Sequence, residues 1–404
     1  MRSQSTSRLP STDGKLDTIR VDQVGSLVVP ANLVEASVRN TKGSCSDADL
    51  RRLQDDAIRD VVRKQENIGL PIVTDGEFRR RNFQDSFATA VSGFDTPVAG
   101  RALDPAAWRD PNNPLSRTEP NYDAAGPAIA TRRATIERLK LKNNVILDEF
   151  RFVASVARTS AKVSLIGPDR IAQRFAWERS RAVYEGMQEF IDDVVAVERK
   201  MIREVVNAGC RYVHIDAPGF TAYIDDVSIE RMRARGEDPD ENLERAIKAE
   251  NAVIAGFDGI TFGLHICRGN PRGIDAQGRV QPQWHREGPY DAIAERLFSQ
   301  LNHQRLLLEY DSDRAGGFEP LRFVRKGTVA VLGIVTTKFD EIETVDAMRR
   351  RVDAASRHLP VEQLAISPQC GFSSGVGMVQ LPEDAQWRKF DTLISTAEAI
   401  WGSR

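Results

Sequence analysis

Thr261-Phe262-Gly263-Leu264-His265-Ile266-Cys267 is an apolar run that stops at Arg268-Gly269-Asn270. A short apolar run closed by a turn signal reads as a buried strand. Just upstream, Leu243, Ile247 and Ile254 fall on one helical face that ends before Gly256. A helix feeding a buried strand is one unit of a parallel α/β sheet. Within the strand, His265 and Cys267 are two residues apart, so both side chains project from the same face.

The same rhythm runs outward in both directions. Eight candidate strands can be read: Arg20–Ser26, Pro71–Glu77, Lys162–Pro168, Tyr212–Pro218, Thr261–Cys267, Leu306–Ser312, Val329–Thr336 and Leu364–Cys370. Helical patterns join them. Ser46 caps a helix with Asp49 at its third position, and Leu50, Ala57, Val61 and Ile68 mark its apolar face up to Gly69. Val183, Met187, Ile191, Val194, Met201 and Val205 mark another that ends at Gly209, and Pro382–Trp401 reads as a last helix. Eight strands with helical crossovers predict a (β/α)₈ TIM-type barrel, although an open doubly wound sheet has the same local signals. No glycine-rich dinucleotide or P-loop fingerprint supports the open sheet.

A long insertion between strands 2 and 3, about 94–157, interrupts the pattern. Phe94–Pro127 is rich in Pro, Asp, Asn and Gly and reads as loop, and Ala128–Ala157 as helix plus hairpin. Met1–Gly14 is rich in Ser and Arg without an apolar core, so residues 1–18 are expected to be a disordered tail ahead of a single catalytic domain at 19–404.

The chain has 404 residues and is 41% hydrophobic, enough for a sizeable core. A net charge of −2 gives no reason to expect nucleic acid or an anionic membrane as partner. No apolar run is long enough to span a bilayer. Cys45, Cys210, Cys267 and Cys370, without an export signal, fit a reducing cytoplasm better than a disulfide framework.

The ends of three strands bring together a zinc-type donor set. His265 and Cys267 end the fifth strand, Glu309 lies in Leu307-Leu308-Glu309-Tyr310-Asp311, and Cys370 ends the last in Ser367-Pro368-Gln369-Cys370. Barrel strands meet at the carboxy-terminal mouth, where catalytic groups sit. One imidazole, two thiolates and a carboxylate suit Zn²⁺. That set outweighs the ion by one negative charge. Such a zinc is a poor Lewis acid toward water but leaves a bound thiolate nucleophilic, which points to thiol chemistry over hydrolysis. Taken singly, each residue has a plainer reading: a buried structural histidine, a salt-bridge partner at the rim, a small buried hydrophobe.

At these residues the chain resembles the catalytic barrel of the cobalamin-independent methionine synthases, and most closely their short, single-barrel members. The similarity runs from about Val21 to Trp401. It is carried by Val24-Gly25-Ser26, Thr74-Asp75-Gly76-Glu77, His214-Ile215-Asp216, the His265/Cys267 segment, Glu309 to Gly316, and Cys370-Gly371-Phe372. The resemblance implies zinc on His265, Cys267, Glu309 and Cys370, and methyl transfer to a zinc-bound thiolate in methionine biosynthesis. It implies that Gly25 and Ser26 hold the carboxylate of a homocysteine-like thiol and that Glu77 and Asp216 hold its ammonium. Two carboxylates are natural partners for that charge.

The donor half departs from the family. Ala217 stands where the methionine synthases carry Glu, Val335 stands at the position of their leaving-group histidine, and Gly167-Pro168-Asp169-Arg170-Ile171 has no counterpart of their folate-stacking tryptophan. Methyltetrahydrofolate is thus the donor implied by resemblance but not by these residues. The alternatives are a zinc thiol transferase that opens an epoxide, like epoxyalkane:coenzyme M transferase, with Arg79–Arg81, Arg268 and Arg314 available for a sulfonate, and a zinc hydrolase with Asp311 or Asp313 as base. A barrel with a purely structural zinc is the non-catalytic reading.

Overall fold

The computed structural model describes residues 16–95, 133–270, 272–274, 277, 280–282, 286–378 and 380–404. Ten strands are present in chain order: β1 (Val91–Phe94), β2 (Thr135–Leu141), β3 (Val163–Ile166), β4 (Tyr212–Asp216), β5 (Thr261–Ile266), β6 (Arg272–Ile274), β7 (Val280–Pro282), β8 (Arg305–Glu309), β9 (Val329–Val335) and β10 (Leu364–Pro368). Six of them form one parallel sheet in the order β10-β9-β8-β5-β4-β3. These are the last six of the eight strands read from the sequence.

The first two are present as single parallel bridges. Val21 bridges Ile366, Ser26 bridges Gly76, and Val73 bridges Ala161. Thus Arg20–Ser26 joins the β10 edge, Pro71–Glu77 joins the β3 edge, and the two join each other, in the order of an eight-membered TIM-type ring. Backbone bonds seal the joints: Asp22 N donates to Ile366 O at 2.9 Å and Leu27 N to Gly76 O at 3.1 Å. The ladder is short because side-chain amides take its place. Gln65 accepts from Thr74 N at 3.0 Å and donates to Thr74 O at 2.8 Å, as a neighbouring peptide would. Gln23 Nε2 donates to Ile72 O at 2.8 Å and to Gln65 Oε1 at 2.9 Å.

The helices follow their sequence signals. Ser46 caps Asp47–Asn67 by accepting from Asp49 N at 3.1 Å, and Gly69 (φ 81°) turns the chain out of it. Met187–Asn207 starts later than the apolar pattern that announces it, because Gly186 precedes its first turn. Asp238 caps Pro239–Ile254, and Glu383–Trp401 ends at Gly402 (φ 68°). No helix among the described residues is long and apolar enough to cross a membrane.

In the insertion, β1 and β2 pair antiparallel on either side of residues 96–132, and Val145–Val156 is the expected helix. The loop expected over Phe94–Pro127 lies outside the described residues except at its start, as does the expected tail up to residue 15. Leu16–Thr18 departs from that tail: it is a 3₁₀ turn, and Leu16 packs on Ile19, Ile72 and Tyr212. A second hairpin, β6–β7, follows β5; the sequence reading does not anticipate it.

One buried ion cluster links the amino-terminal ends of the strands. Asp22 accepts from Lys162 Nζ (2.7 Å), Arg305 Nε (2.8 Å) and Tyr212 OH (2.7 Å). Burial works against the Asp22 carboxylate, but Lys162 and Arg305 hold it well below the usual range. The opposite, carboxy-terminal end carries the functional groups.

Candidate metal and thiol site

His265 Nδ1 lies 2.7 Å from Asp216 Oδ1, the carboxylate of its register partner across the β4–β5 pair. Its Nε2 lies 3.1 Å from the carbonyl oxygen of Gln369. The sulfurs of Cys267 and Cys370 are 4.0 Å apart. The donor atoms of His265, Cys267 and Cys370 all lie within 4.8 Å of one another. Two thiolates on one tetrahedral zinc, each at about 2.3 Å, stand roughly 3.8 Å apart, so the cluster fits the ion. With Nδ1 committed to Asp216, Nε2 is the nitrogen left for a metal, the usual arrangement of a carboxylate-oriented histidine.

The charges fit as well. Cys370 hydrogen-bonds Cys267 and, with His265 nearby, pulls the Cys267 thiol down, while the same contact and burial push Cys370 up. Burial opposes a charge on His265, but Cys267 and Asp216 outweigh it and raise the imidazole to about 9. A cation placed among these groups replaces the protons. His214, with Asp216 and His265, forms a second cluster of possible donors; burial pushes His214 well down and keeps it neutral.

Glu309 is not one of the clustered donors. Its Oε1 accepts from Arg314 Nη2 (2.5 Å) and Lys338 Nζ (3.1 Å), and its Oε2 from the backbone N–H of Arg268. Burial opposes ionisation, yet Lys338, Arg314 and Arg268 hold Glu309 down at about 2. The structure therefore brings together three of the four expected ligands and places the fourth in an ion pair beside them. Lys338, unread in the sequence, also binds Asp311 Oδ2 at 2.6 Å, which takes up a carboxylate that hydrolysis would need as a base.

The substrate residues converge on the same place. A cleft of about 760 Å³, counted to its open mouth, is lined by Ser26, Glu77, Asp216, Cys267 and Cys370 among others. Glu77 has φ 61°, the one non-glycine positive φ among the described residues. Such strain is held at a site by its surroundings: Ser164 Oγ and Arg80 Nη1 (3.2 Å) both donate to Glu77 Oε1. Burial pushes the Glu77 carboxyl up, against the pull of Arg80. Gly25 (φ 147°) adjoins it: a Cβ there would lie 3.6 Å from Glu77 Oε1. At Gly371 a Cβ would fall 1.9 Å from Ser26 Oγ, so the residue after Cys370 must be glycine for Ser26 to keep its place.

Of the arginines singled out for a sulfonate, Arg81 is exposed and the other four are otherwise engaged. Arg79 pairs with Asp55, Arg80 with Glu149, and Arg314 with Glu309, while Arg268 donates to the carbonyls of Gly288 and Glu309. The cleft is lined instead by Arg170 and Arg286. Arg170 was legible as a position, just past the third strand; Arg286 follows the β6–β7 hairpin and has no sequence signal.

No family model matches the chain. It is 32% identical to the uncharacterized protein YxjG of Bacillus subtilis over 396 residues, 97% of each chain. It is 24% identical to a methionine synthase of Pyrococcus abyssi over 360 residues, 88% of this chain and 87% of that one. The chain belongs to the cobalamin-independent methionine synthase family. Among solved structures in that family, the candidate vitamin-B12 independent methionine synthase of Listeria monocytogenes superposes with TM-score 0.69 at 23% identity, covering 95% of this chain and 98% of that one. The B12-independent methionine synthase of a Shewanella species, solved with selenomethionine, gives 0.66 at 18%, covering 95% and 97%. Both likenesses are of fold, and they agree with the ring of eight strand segments.

Proposed function

We propose that the protein is a zinc-dependent thiol S-methyltransferase, a methionine synthase-like enzyme of the cytoplasm whose acceptor is homocysteine or a close aminothiol. The observation that carries this reading is the junction of His265, Cys267 and Cys370 with Glu77 and Asp216 in one cleft. His265, Cys267 and Cys370 would hold the zinc, with Glu309 at hand as a fourth, oxygen donor. Bound zinc would supply a lowered thiol pKa while leaving the sulfur nucleophilic.

The chain's own residues do the rest. Glu77 and Asp216 hold the acceptor's ammonium, and the Gly25–Ser26 turn receives its carboxylate. Asp216 serves twice, since one oxygen orients His265 and its side chain is still 15% exposed to the cleft. In the reaction a sulfur–carbon bond forms, the bond from methyl to donor breaks, and the donor leaves with the electron pair. The test is thiol binding to the cobalt-substituted enzyme. An aminothiol should add a near-ultraviolet sulfur–cobalt band and release close to one proton below its own pKa. A broad thiol panel that changes neither the spectrum nor the pH would overturn the reading, and ester or amide hydrolysis in the same preparation would replace it.

A further inference from the structure

Arg170 and Arg286 line the cleft together with Cys267, Cys370 and Asp216. Both are buried, at 7% exposure each. Among the described residues neither forms an ion pair. The Arg170 side chain makes no hydrogen bond among the described residues, and its Nε is buried without a partner there. Arg286 reaches only uncharged oxygens, those of Pro218, Thr221 (3.3 Å) and Gln173 (3.4 Å), and its Nε also lacks a partner. Burial, with Arg174 and Arg286 nearby, pushes the Arg170 guanidinium well below the usual arginine range, against the weaker pull of Asp169 and Asp216.

A buried charge without a counter-charge is costly, and side chains retained in that state await a partner. Three other cationic groups of this mouth show the contrast. Arg80 has Glu149, and Arg314 and Lys338 have Glu309. Asp169, Asp216 and Asp225 act on these two guanidiniums from beyond contact, but no described carboxylate forms an ion pair with either. On the wall of a substrate cleft, that leaves a place an oxyanion fits by charge and by fork geometry.

We propose that Arg170 and Arg286 form an oxyanion subsite for a carboxylate, sulfonate or phosphate group carried by one of the two substrates. The proposal rests on the methyltransferase reading of the cleft and adds a substrate class to it. The group belongs to the alkyl donor if the acceptor's two charged ends are already met by Gly25–Ser26 and by Glu77–Asp216. It belongs to the acceptor if the thiol is itself a sulfonate.

The test uses the zinc-loaded full chain with inorganic sulfate as calorimetric probe, and the cobalt form with homocysteine, 3-mercaptopropanesulfonate and 3-mercaptopropanol. Wild type should bind sulfate, and Arg170→Gln or Arg286→Gln should weaken it about ten-fold or more, the worth of one charge-assisted hydrogen bond. If all three thiols keep their affinities in the variants, the anion rides on the donor. If the sulfonate thiol binds about ten-fold tighter than the alcohol and loses that margin in the variants, it rides on the acceptor. Sulfate that fails to bind wild type, with no preference for the sulfonate thiol, overturns the subsite whether or not any variant folds. So do variants that keep the cobalt–thiolate spectrum and hold every affinity within about two-fold. Sulfate binding needs no thiol and no turnover. Failure of the methyltransferase reading would appear separately, as the absence of a cobalt–thiolate band with any thiol.

Discussion

Asp216 meets His265 Nδ1 with one oxygen and still lines the cleft, so its replacement separates two roles. Asp216→Asn should weaken an aminothiol by roughly 1.5–3 kcal/mol, the value of a charged hydrogen bond, and a thiol without the amine far less. Titration of the cobalt form checks this; equal losses would mean that Asp216 acts through His265 alone. Cys267→Ser and Cys370→Ser should each lose most of a metal content of about one zinc per chain, with the far-ultraviolet spectrum unchanged. Full occupancy in both would sink the site. The two cysteines and His265 were legible as a candidate cluster because strand ends in a barrel converge, and the family resemblance favoured zinc over the plainer reading of each residue. Glu309 was legible as a charged residue at a strand end, but its engagement was not. Lys338 lies 29 positions away in sequence, and nothing local announces that it reaches Glu309. Arg170 and Arg286 escaped for a related reason: a guanidinium is informative here through the carboxylate it lacks, and absence of a partner is a property of three dimensions.

At the scale of elements, the six strands β3, β4, β5, β8, β9 and β10 were legible because each is buried along its length, save Asp216 at the mouth end of β4, and spells that out as an apolar run. The segments around Val21 and Val73 are less regular than their apolar patterns suggest, since Gln23 and Gln65 supply hydrogen bonds that a ladder would otherwise make. Sequence patterns record which residues are buried, not which group satisfies a peptide. This arrangement makes Gln65 a strut for Gly25–Ser26 and Glu77 at once. Gln65→Leu would strand the N–H and C=O of Thr74 and should cost roughly 2–4 kcal/mol in urea unfolding. It should also weaken aminothiol binding while leaving metal content intact, because His265, Cys267 and Cys370 stand on other strands. Loss of zinc in that variant would show that the two halves of the site are not independent. The Ser46 cap, by contrast, is a local feature remote from the mouth. Ser46→Ala should cost about 1 kcal/mol of stability without touching thiol affinity.

Across the whole molecule, charge is distributed unevenly between the barrel and its shell. The amino-terminal end is tied by Asp22, Lys162 and Arg305, where each charge has a partner. The shell is different where the helices Met187–Asn207 and Pro239–Ile254 pack. Glu198 and Glu250 are both fully buried, and neither Glu198 oxygen has a hydrogen-bond partner among the described residues. Burial first, then the neighbouring carboxylate, pushes Glu198 well up; burial, with Asp169 and Asp216 behind it, does the same to Glu250. Gly167 accommodates this packing, since a Cβ there would lie 2.4 Å from Glu250 Oε1. The sign follows from proton binding. In the unfolded chain both carboxyls ionise near pH 4.3, while the folded state keeps protons well above that. Their contribution is complete below the unfolded pKa and is lost as pH rises toward the folded one. Asp85 and Asp169, each raised by burial to about 6, act in the same direction. Asp22 and Glu309 act oppositely, but their titration is over by about pH 5, above their unfolded values. The buried His214, pushed well down, and His303, pushed down to about 3, also act oppositely until about pH 7, where the unfolded imidazoles have lost their protons. From pH 5 to about 7 the histidines offset the raised carboxyls, and between pH 7 and pH 8 stability should fall, by about 1.4 kcal/mol per pH unit for each extra proton that the folded state holds. Glu198→Gln removes one of these protons. It should flatten the slope and make the variant more stable than wild type at pH 8, with little difference at pH 5. Urea unfolding across that range, at saturating zinc, measures it; parallel curves for wild type and variant would mean that Glu198 is ionised and paired in the folded protein.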